Sequence, residues 1–218
     1  MAIKAVLFDL DGTLISTEHA WEAARREVSL DNGGRWLDDA QATMMGMSTP
    51  EWTSWMKETL GVQLPVEEIY RLVTEKLDSV YRQEIPVIDG APEAVEQIAD
   101  RWDTAIASSS SRHLIDLVVE LTSFGPRFKT TVSSEEVERG KPHPDVFLEA
   151  ARRLGAAPEE SVVIEDSTNG IKAGVAAGMH VVAIPEPNFP PDKEALDGAT
   201  VQLTSIRELD PAVIESLG

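Results

Sequence analysis

A short, mostly apolar run, Ile3-Lys-Ala-Val-Leu-Phe8, breaks off at Asp9-Leu-Asp11-Gly12, and no other feature constrains the fold of this chain as strongly. The run is too short for a stable helix and reads as a buried strand that ends in a polar loop. The same pattern recurs at residues 103–107 before a serine cluster, at 130–132 before Ser133-Ser134, at 161–164 before Glu165-Asp166, and at 180–184. Helix-like segments near 91–101, 111–121, 144–154 and 168–177 lie between these strands. Strand alternating with helix predicts an α/β fold, a Rossmann-like parallel sheet of five strands with helices on both faces. Such sheets bind ligands at the carboxyl ends of their strands, where this chain carries Asp9, Ser108 and Glu165-Asp166.

Residues 16–85 interrupt the alternation with several helix-like stretches and no convincing buried strand. They are expected to form an inserted all-α domain, leaving 1–15 and 86–218 as the α/β core. Leu64-Pro-Val-Glu-Glu puts proline at a helix start and acids in its first turn, which suits the positive end of the helix dipole; that helix is expected to reach about Tyr81. Four of the five tryptophans, Trp21, Trp36, Trp52 and Trp55, fall in the insert, and the expectation is that they form its core rather than a substrate wall. The proline-rich stretch 185–191 reads as a surface loop.

Nineteen basic against thirty-eight acidic residues give a net charge of −19, which repels nucleic acid and anionic lipid. A small anionic ligand therefore needs local positive charge. With no cysteine, disulfides, thiolate catalysis and cysteine-held metals are excluded. The N-terminus does not read as a signal peptide and no stretch approaches ~18 apolar residues, so a soluble, cytoplasmic protein is expected.

The chemistry gathers in four places. Asp9 and Asp11 follow a buried strand, where two carboxylates repel unless a cation or proton intervenes, and a divalent metal is the obvious relief. Gly12 permits a tight turn, and Thr13 offers a hydroxyl to an anion or to the next turn. Asp-x-Asp-Gly alone also fits a calcium loop or a simple turn, but the longer calcium-loop pattern is not met. The run Ser108 to Ser111 before a helix fits phosphate binding and, equally, helix capping. Lys141, between Gly140 and Pro142, is a candidate point charge for phosphate or a surface lysine. Glu165-Asp166, after an apolar strand, are candidate ligands for magnesium, which prefers a few carboxylate and carbonyl oxygens with water; Asp9, Asp166 and the Asp11 carbonyl complete such a set. The histidines His19, His113, His143 and His180 have no metal-ligand spacing; His19, beside Glu18, and Arg112 stay open as substrate contacts.

Together these segments resemble the haloacid dehalogenase-like superfamily, in the group around phosphoglycolate phosphatase and β-phosphoglucomutase. Phe8-Asp9-Leu-Asp11-Gly-Thr-Leu is similar to the first family motif, Ala107-Ser108-Ser to the second, Gly140-Lys141-Pro to the third and Val163-Ile-Glu165-Asp166-Ser-Thr-Asn-Gly to the fourth, with the helical insert at the cap position. The resemblance implies a magnesium-dependent phosphatase of a small phosphorylated metabolite, with Asp9 as the nucleophile that becomes an aspartyl-phosphate and Asp11 as the general acid and base. It implies Ser108, Ser109 and Lys141 as phosphate-binding residues, and Asp9, Asp11, Asp166 and Glu165 around the metal, with Glu165 at its edge. The alternatives are a sugar phosphomutase of the β-phosphoglucomutase type and a non-catalytic binding relative. The mutase expectation of a cap histidine and arginine meets Trp21 and Thr49 here, with Arg25, Arg26 or Lys57 as substitutes. A monomer or weak homodimer is expected.

Overall fold

The structure, a computed structural model, describes residues 2–218. Six strands form one parallel sheet: β1 (Ala5–Phe8), β2 (Asp103–Ser108), β3 (Thr130–Ser133), β4 (Ser161–Glu165), β5 (His180–Ala183) and β6 (Val201–Gln202), in the order β3-β2-β1-β4-β5-β6. The first five are those expected from sequence. β6 was not, because two residues paired to the sheet edge give no run or period to read.

Alternation along the strands builds two apolar layers. Val6, Phe8, Ile106, Val162, Ile164 and Val182 point to one face, and Ala5, Leu7, Ala105, Ala107, Val132, Val163, Val181 and Ala183 to the other. Among the described residues ten α-helices complete the fold: α1 (Glu18–Asp31), α2 (Ala40–Met44), α3 (Thr49–Glu58), α4 (Val66–Gln83), α5 (Ala91–Ala99), α6 (Arg112–Leu121), α7 (Asp145–Leu154), α8 (Thr168–Ala176), α9 (Lys193–Gly198) and α10 (Pro211–Glu215). Val95 and Ile98 of α5 and Leu114, Ile115 and Val118 of α6 cover the first face. Val146, Phe147 and Ala150 of α7 and Ile171 of α8 cover the second. Each large side chain so buried contributes about 1.5–3 kcal/mol, enough in sum to hold both layers on a sheet of short strands.

The helices α1 to α4 follow β1 and form the inserted all-α cap. The chain leaves and re-enters the sheet side by side, with Ser16 N–H donating to Pro86 O at 2.8 Å and Ile88 N–H to Leu14 O at 3.0 Å. α4 starts just after Pro65, carries Glu67 and Glu68 in its first turn and runs past Tyr81 to Gln83; it buries Ile69, Val73, Leu77 and Tyr81, a stripe at helical spacing. It packs on α1 and α3 within the cap and on α6 of the core. α1 buries Glu18, Trp21, Ala24, Arg25 and Val28, also at helical spacing, so two ionisable side chains share the face that its apolar neighbours need. The loop between α2 and α3 rests on the core: Ser109 Oγ donates to Gly46 O at 2.8 Å, and Asn169 Nδ2 to Met45 O at 2.9 Å. Among the described residues no helix is long and apolar enough to cross a membrane.

Candidate active site

Register sets the floor of the site. Phe8 pairs with both Ile106 of β2 and Ile164 of β4, so the residues that follow, Asp9, Ala107 and Glu165, emerge side by side at the carboxyl edge. Asp9 N–H donates to Ile164 O at 2.9 Å, and its carboxylate is buried. Lys141 is 1% exposed; its Nζ donates to Asp9 Oδ1 at 2.5 Å and to Glu165 Oε1 at 2.7 Å, and lies 4.7 Å from the centre of the Phe147 ring. Burial pulls the Lys141 ammonium down, but Asp9 and Glu165 together hold it above the usual lysine range.

Asp9, Glu165 and Asp166 each offer an oxygen within 4.8 Å of the others. Three buried carboxylates face one ammonium, a local excess of negative charge. Burial, with the neighbouring carboxylates adding to it, pushes Asp166 well above the usual carboxylate range, as it does Asp9 against the pull of Lys141. A divalent cation relieves both, and the donors fit one. Asp166 Oδ2 is buried without a hydrogen-bond partner, while Oδ1 accepts from Thr13 Oγ at 3.2 Å. An all-oxygen set suits a hard cation. Glu165 is differently employed: Oε1 takes Lys141, and Oε2 accepts from Asp166 N, Ser167 N and Ser167 Oγ at 2.9, 2.9 and 3.0 Å. It organises the loop and the lysine, which leaves Asp9 and Asp166 as the oxygens with capacity for a metal. Two glycines make room: a Cβ on Gly12, whose φ is +88°, would come within 2.2 Å of Asp166 Oδ2, and one on Gly170 within 1.6 Å of Glu165 Oε1.

Asp11 faces another way. Its Oδ1 accepts from Thr17 Oγ at 2.5 Å, Trp21 Nε1 at 3.0 Å and Tyr81 Oη at 3.3 Å, and its Oδ2 from Ser110 Oγ at 2.6 Å. Three of these donors belong to the insert, so cap and core meet on this carboxylate. The side chain of Asp11 is therefore outside the acidic cluster, and the metal expectation for this residue rests on its backbone carbonyl. A cavity of about 510 Å³, including its open mouth, lies above Asp9 and Asp11. Trp21, Arg25, Gln41, Met47 and Trp52 of the cap line its roof. The Arg25 guanidinium sits 4.4 Å from the centre of the Trp21 ring and 5.1 Å from that of Trp52, with Nη1 donating to Gln41 Oε1 at 3.2 Å. Burial lowers it to about 9, against the pull of Asp11, so it stays charged at neutral pH. Burial pushes Glu18, at the cavity edge, up to about 8, with the Asp11 and Glu186 charges adding to the effect.

Asp9, Asp11, Ser108, Ser109, Lys141 and Glu165 all line this cavity, and Asp166 lies beside Asp9 beneath it. Ser108 Oγ accepts from Ser110 N at 3.0 Å, while the Ser109 hydroxyl is spent on Gly46 O. The tryptophan expectation divides: Trp21 and Trp52 are buried core and cavity wall at once, whereas Trp55 and Trp36 only pack against the core. His19 lies outside the cavity with its ring 5.7 Å from Phe189, and Arg112 is turned to Glu136 and Thr131. Thr49 points to Glu135 on the rim. Sequence reasoning missed Thr17, Tyr81 and Gln41 and read Ser110 only as part of the serine run, because their roles need the cap folded onto the core. A signal existed only for Glu18, Trp21 and Arg25, whose spacing puts them on one helical face.

A family model described as haloacid dehalogenase-like hydrolase matches residues 3–178. The bifunctional riboflavin kinase/FMN phosphatase of Arabidopsis thaliana is 34% identical over 84% of this chain, which spans only 48% of that longer protein. Hexitol phosphatase B of Escherichia coli K12 is 29% identical, with 95% of this chain and 94% of the relative covered. Among solved structures, β-phosphoglucomutase from Clostridium difficile superposes with a TM-score of 0.86 at 21% identity, covering 99% of this chain and 96% of that one. With the family model spanning most of its length, on a parallel sheet whose strand ends carry the acids and the lysine, the chain belongs to the haloacid dehalogenase-like hydrolases.

Proposed function

We propose that this protein hydrolyses a small-molecule phosphate monoester, with magnesium held by Asp9 and Asp166 and the cap formed by residues 16–85. One observation carries the reading: two carboxylates two residues apart have different partners, Asp9 with Lys141 on the floor and Asp11 with four neutral donors under the cap. Lys141 occupies Asp9 Oδ1, which leaves Oδ2 to attack phosphorus as the ester P–O bond breaks. Asp11 gives its proton to the departing oxygen and then takes one from the water that cleaves the aspartyl-phosphate. Ser108 and the Ser109 backbone hold phosphoryl oxygens, and Lys141 offsets their charge. A bound magnesium ion supplies the remaining positive charge, in a reaction governed by positioning and electrostatics.

Hydrolysis is favoured over phosphomutase chemistry because the cap position expected to hold a histidine carries Trp21, and Thr49 is turned to Glu135 rather than into the cavity. The intact set Asp9, Asp11, Lys141 and Asp166 favours an enzyme over a binding relative. The phosphatases among its relatives support the same reading. We place the protein in the cytoplasm as a monomer or weak dimer without nucleic-acid or membrane partners, which fractionation and size-exclusion chromatography test. The deciding assay is phosphate release from a panel of monoesters, with magnesium, with chelator and with Asp9→Asn. Magnesium-dependent release that Asp9→Asn abolishes is the expected result. Hexose phosphate interconversion without release would make it a mutase, and release unaffected by Asp9→Asn would remove Asp9 from the mechanism.

A further inference from the structure

A second cavity, of about 870 Å³ including its open mouth, lies at the seam of cap and core, and the reaction proposed above makes no use of it. Its walls come from three places: Thr43 and Met45 from α2 and the loop after it, Thr168 and Asn169 from the start of α8, and Asn188 and Phe189 from the proline-rich stretch 185–191. Met45 and Ser167 line this cavity and the catalytic one alike, so a single layer of side chains divides them. The backbone of that divide is fixed. Asn169 Nδ2 donates to Met45 O at 2.9 Å, and Gly46, with φ +74°, sits so close to α8 that a Cβ there would come within 2.9 Å of Asn169 Cβ. The Met45 side chain is half-buried and unbranched, so it can swing aside where the backbone cannot.

The lining says what the second cavity takes. It presents no cation, and its one charged residue, Asp192, is paired with Lys172 at 2.8 Å. A further anionic group would find no counter-charge there. Thr43 brings a hydroxyl, and Asn169 and Asn188 donate their amide N–H to Met45 O and Glu186 Oε1, which leaves both amide oxygens to accept. Phe189 is half-buried, with the His19 ring 5.7 Å away, and offers apolar surface beside these acceptors. Acceptors next to an aromatic ring match an uncharged group that has an apolar face and O–H or N–H donors at its rim.

Resting on the phosphatase reading above, we propose that the leaving group of the substrate extends past Met45 into this second cavity, where Asn169, Asn188 and Phe189 select an uncharged end rich in hydrogen-bond donors. A two-carbon leaving group stays inside the catalytic cavity, and a longer one crosses the divide. An uncharged end also suits a chain of net charge −19, because it adds nothing to the long-range repulsion that the phosphate already meets. Acceptors left without donors by a short leaving group are what give the longer one its advantage.

The test measures binding apart from turnover. In magnesium buffer, calorimetric titration of Asp9→Asn compares three monoesters of equal charge: 2-hydroxyethyl phosphate, sorbitol 6-phosphate and uridine 5′-phosphate. At least one long ester is expected to bind fivefold or more tightly than the short one; the polyol arm and the nucleoside arm tell whether a hydroxyl chain or a ring is preferred. Adding Phe189→Ala is expected to bring that ratio within twofold while the affinity for 2-hydroxyethyl phosphate is unchanged. Thr43→Trp, which fills the second cavity from a position that does not line the first, is expected to do the same, and decides the matter if Phe189→Ala fails to melt cooperatively. A ratio below fivefold for both long esters, binding of none of the three, or a preference above twofold that survives both substitutions overturns the proposal. Sorbitol or uridine binding as tightly without its phosphate would make the cavity a separate site and overturns it too. Phosphate release by the unmutated protein is measured alongside: its absence bears on the phosphatase reading, whereas the binding ratio judges the second cavity by itself.

Discussion

The floor and the roof of the cavity are built by opposite rules. On the floor, Asp9, Lys141 and Glu165 come from strand ends and the loop before α7, and each finds its partner within the set. In the roof, Trp21 and Arg25 from α1, Gln41 from α2 and Trp52 from α3 come from separate helices, and the one cation among them has two indole faces and a single amide hydrogen bond. Partners inside the protein hold the charges of Asp9, Lys141 and Glu165, and on the floor only Asp166 Oδ2 is buried without one. The roof keeps free valence where the variable part of a substrate would lie. Asp11 stands at the seam, held from both sides.

That contrast can be broken at several points. The largest effect is expected at the floor: Asp9→Asn should lower kcat for phosphate release by on the order of 10³ or more, since it removes the proposed nucleophile, with the melting temperature little changed. Lys141→Met leaves Asp9 and Glu165 buried without their counter-charge and should destabilise the fold by about 3–5 kcal/mol, read from urea unfolding at neutral pH. A loss below about 1 kcal/mol there would mean the floor is wetter than the contacts imply.

At the seam, Glu18 gives a pH signature. Burial, with the Asp11 and Glu186 charges adding to it, raises its folded carboxyl to about 8 from about 4.5, so the folded state binds more protons than the unfolded chain between those values. The stability that its protonated form contributes is therefore present below about 4.5 and lost as pH rises through about 8. Glu18→Gln, with no proton to lose, should be more stable than the unmutated protein at about pH 8.5, by about a few kcal/mol, and nearly the same at about pH 4.5. Equal differences at both pH values would show that titration of Glu18 is not the cause. The smallest effect belongs to Trp21→Phe, which keeps the ring near Arg25 but removes the Nε1 donor to Asp11. Losing one hydrogen bond to a charged group costs about 1.5–3 kcal/mol at most, so a drop in kcat of about tenfold is expected, with little change in KM. A change in KM alone would assign Trp21 to the roof and not to the seam.

Much of the fold and of the floor is legible in the amino-acid sequence. Five of six strands stand out because each is a short run closed by a polar residue or a proline, and a chain segment can announce its own burial and its own end. The four motifs give Asp9, Asp11, Ser108, Ser109, Lys141, Glu165 and Asp166 because each motif is local, and the parallel sheet then gathers strand ends at one edge with little freedom. β6 escapes because its pairing, not its composition, makes it a strand. The split between Asp9 and Asp11, and between Glu165 and Asp166, escapes for a related reason: neighbouring carboxylates look alike in sequence and differ only in the donors that reach them from elsewhere.

Sequence alone determined the sheet, the insert and the identity of the floor, because periodicity and short-range motifs are properties of contiguous chain. Only the tertiary structure decided that Tyr81 and Ser110 meet on Asp11, that Asp166 keeps an unpartnered oxygen while Glu165 does not, and that Arg25 is buried without an acid. Those facts depend on which segments far apart in the chain approach one another, and a hydrogen bond or a desolvated charge exists only once they do.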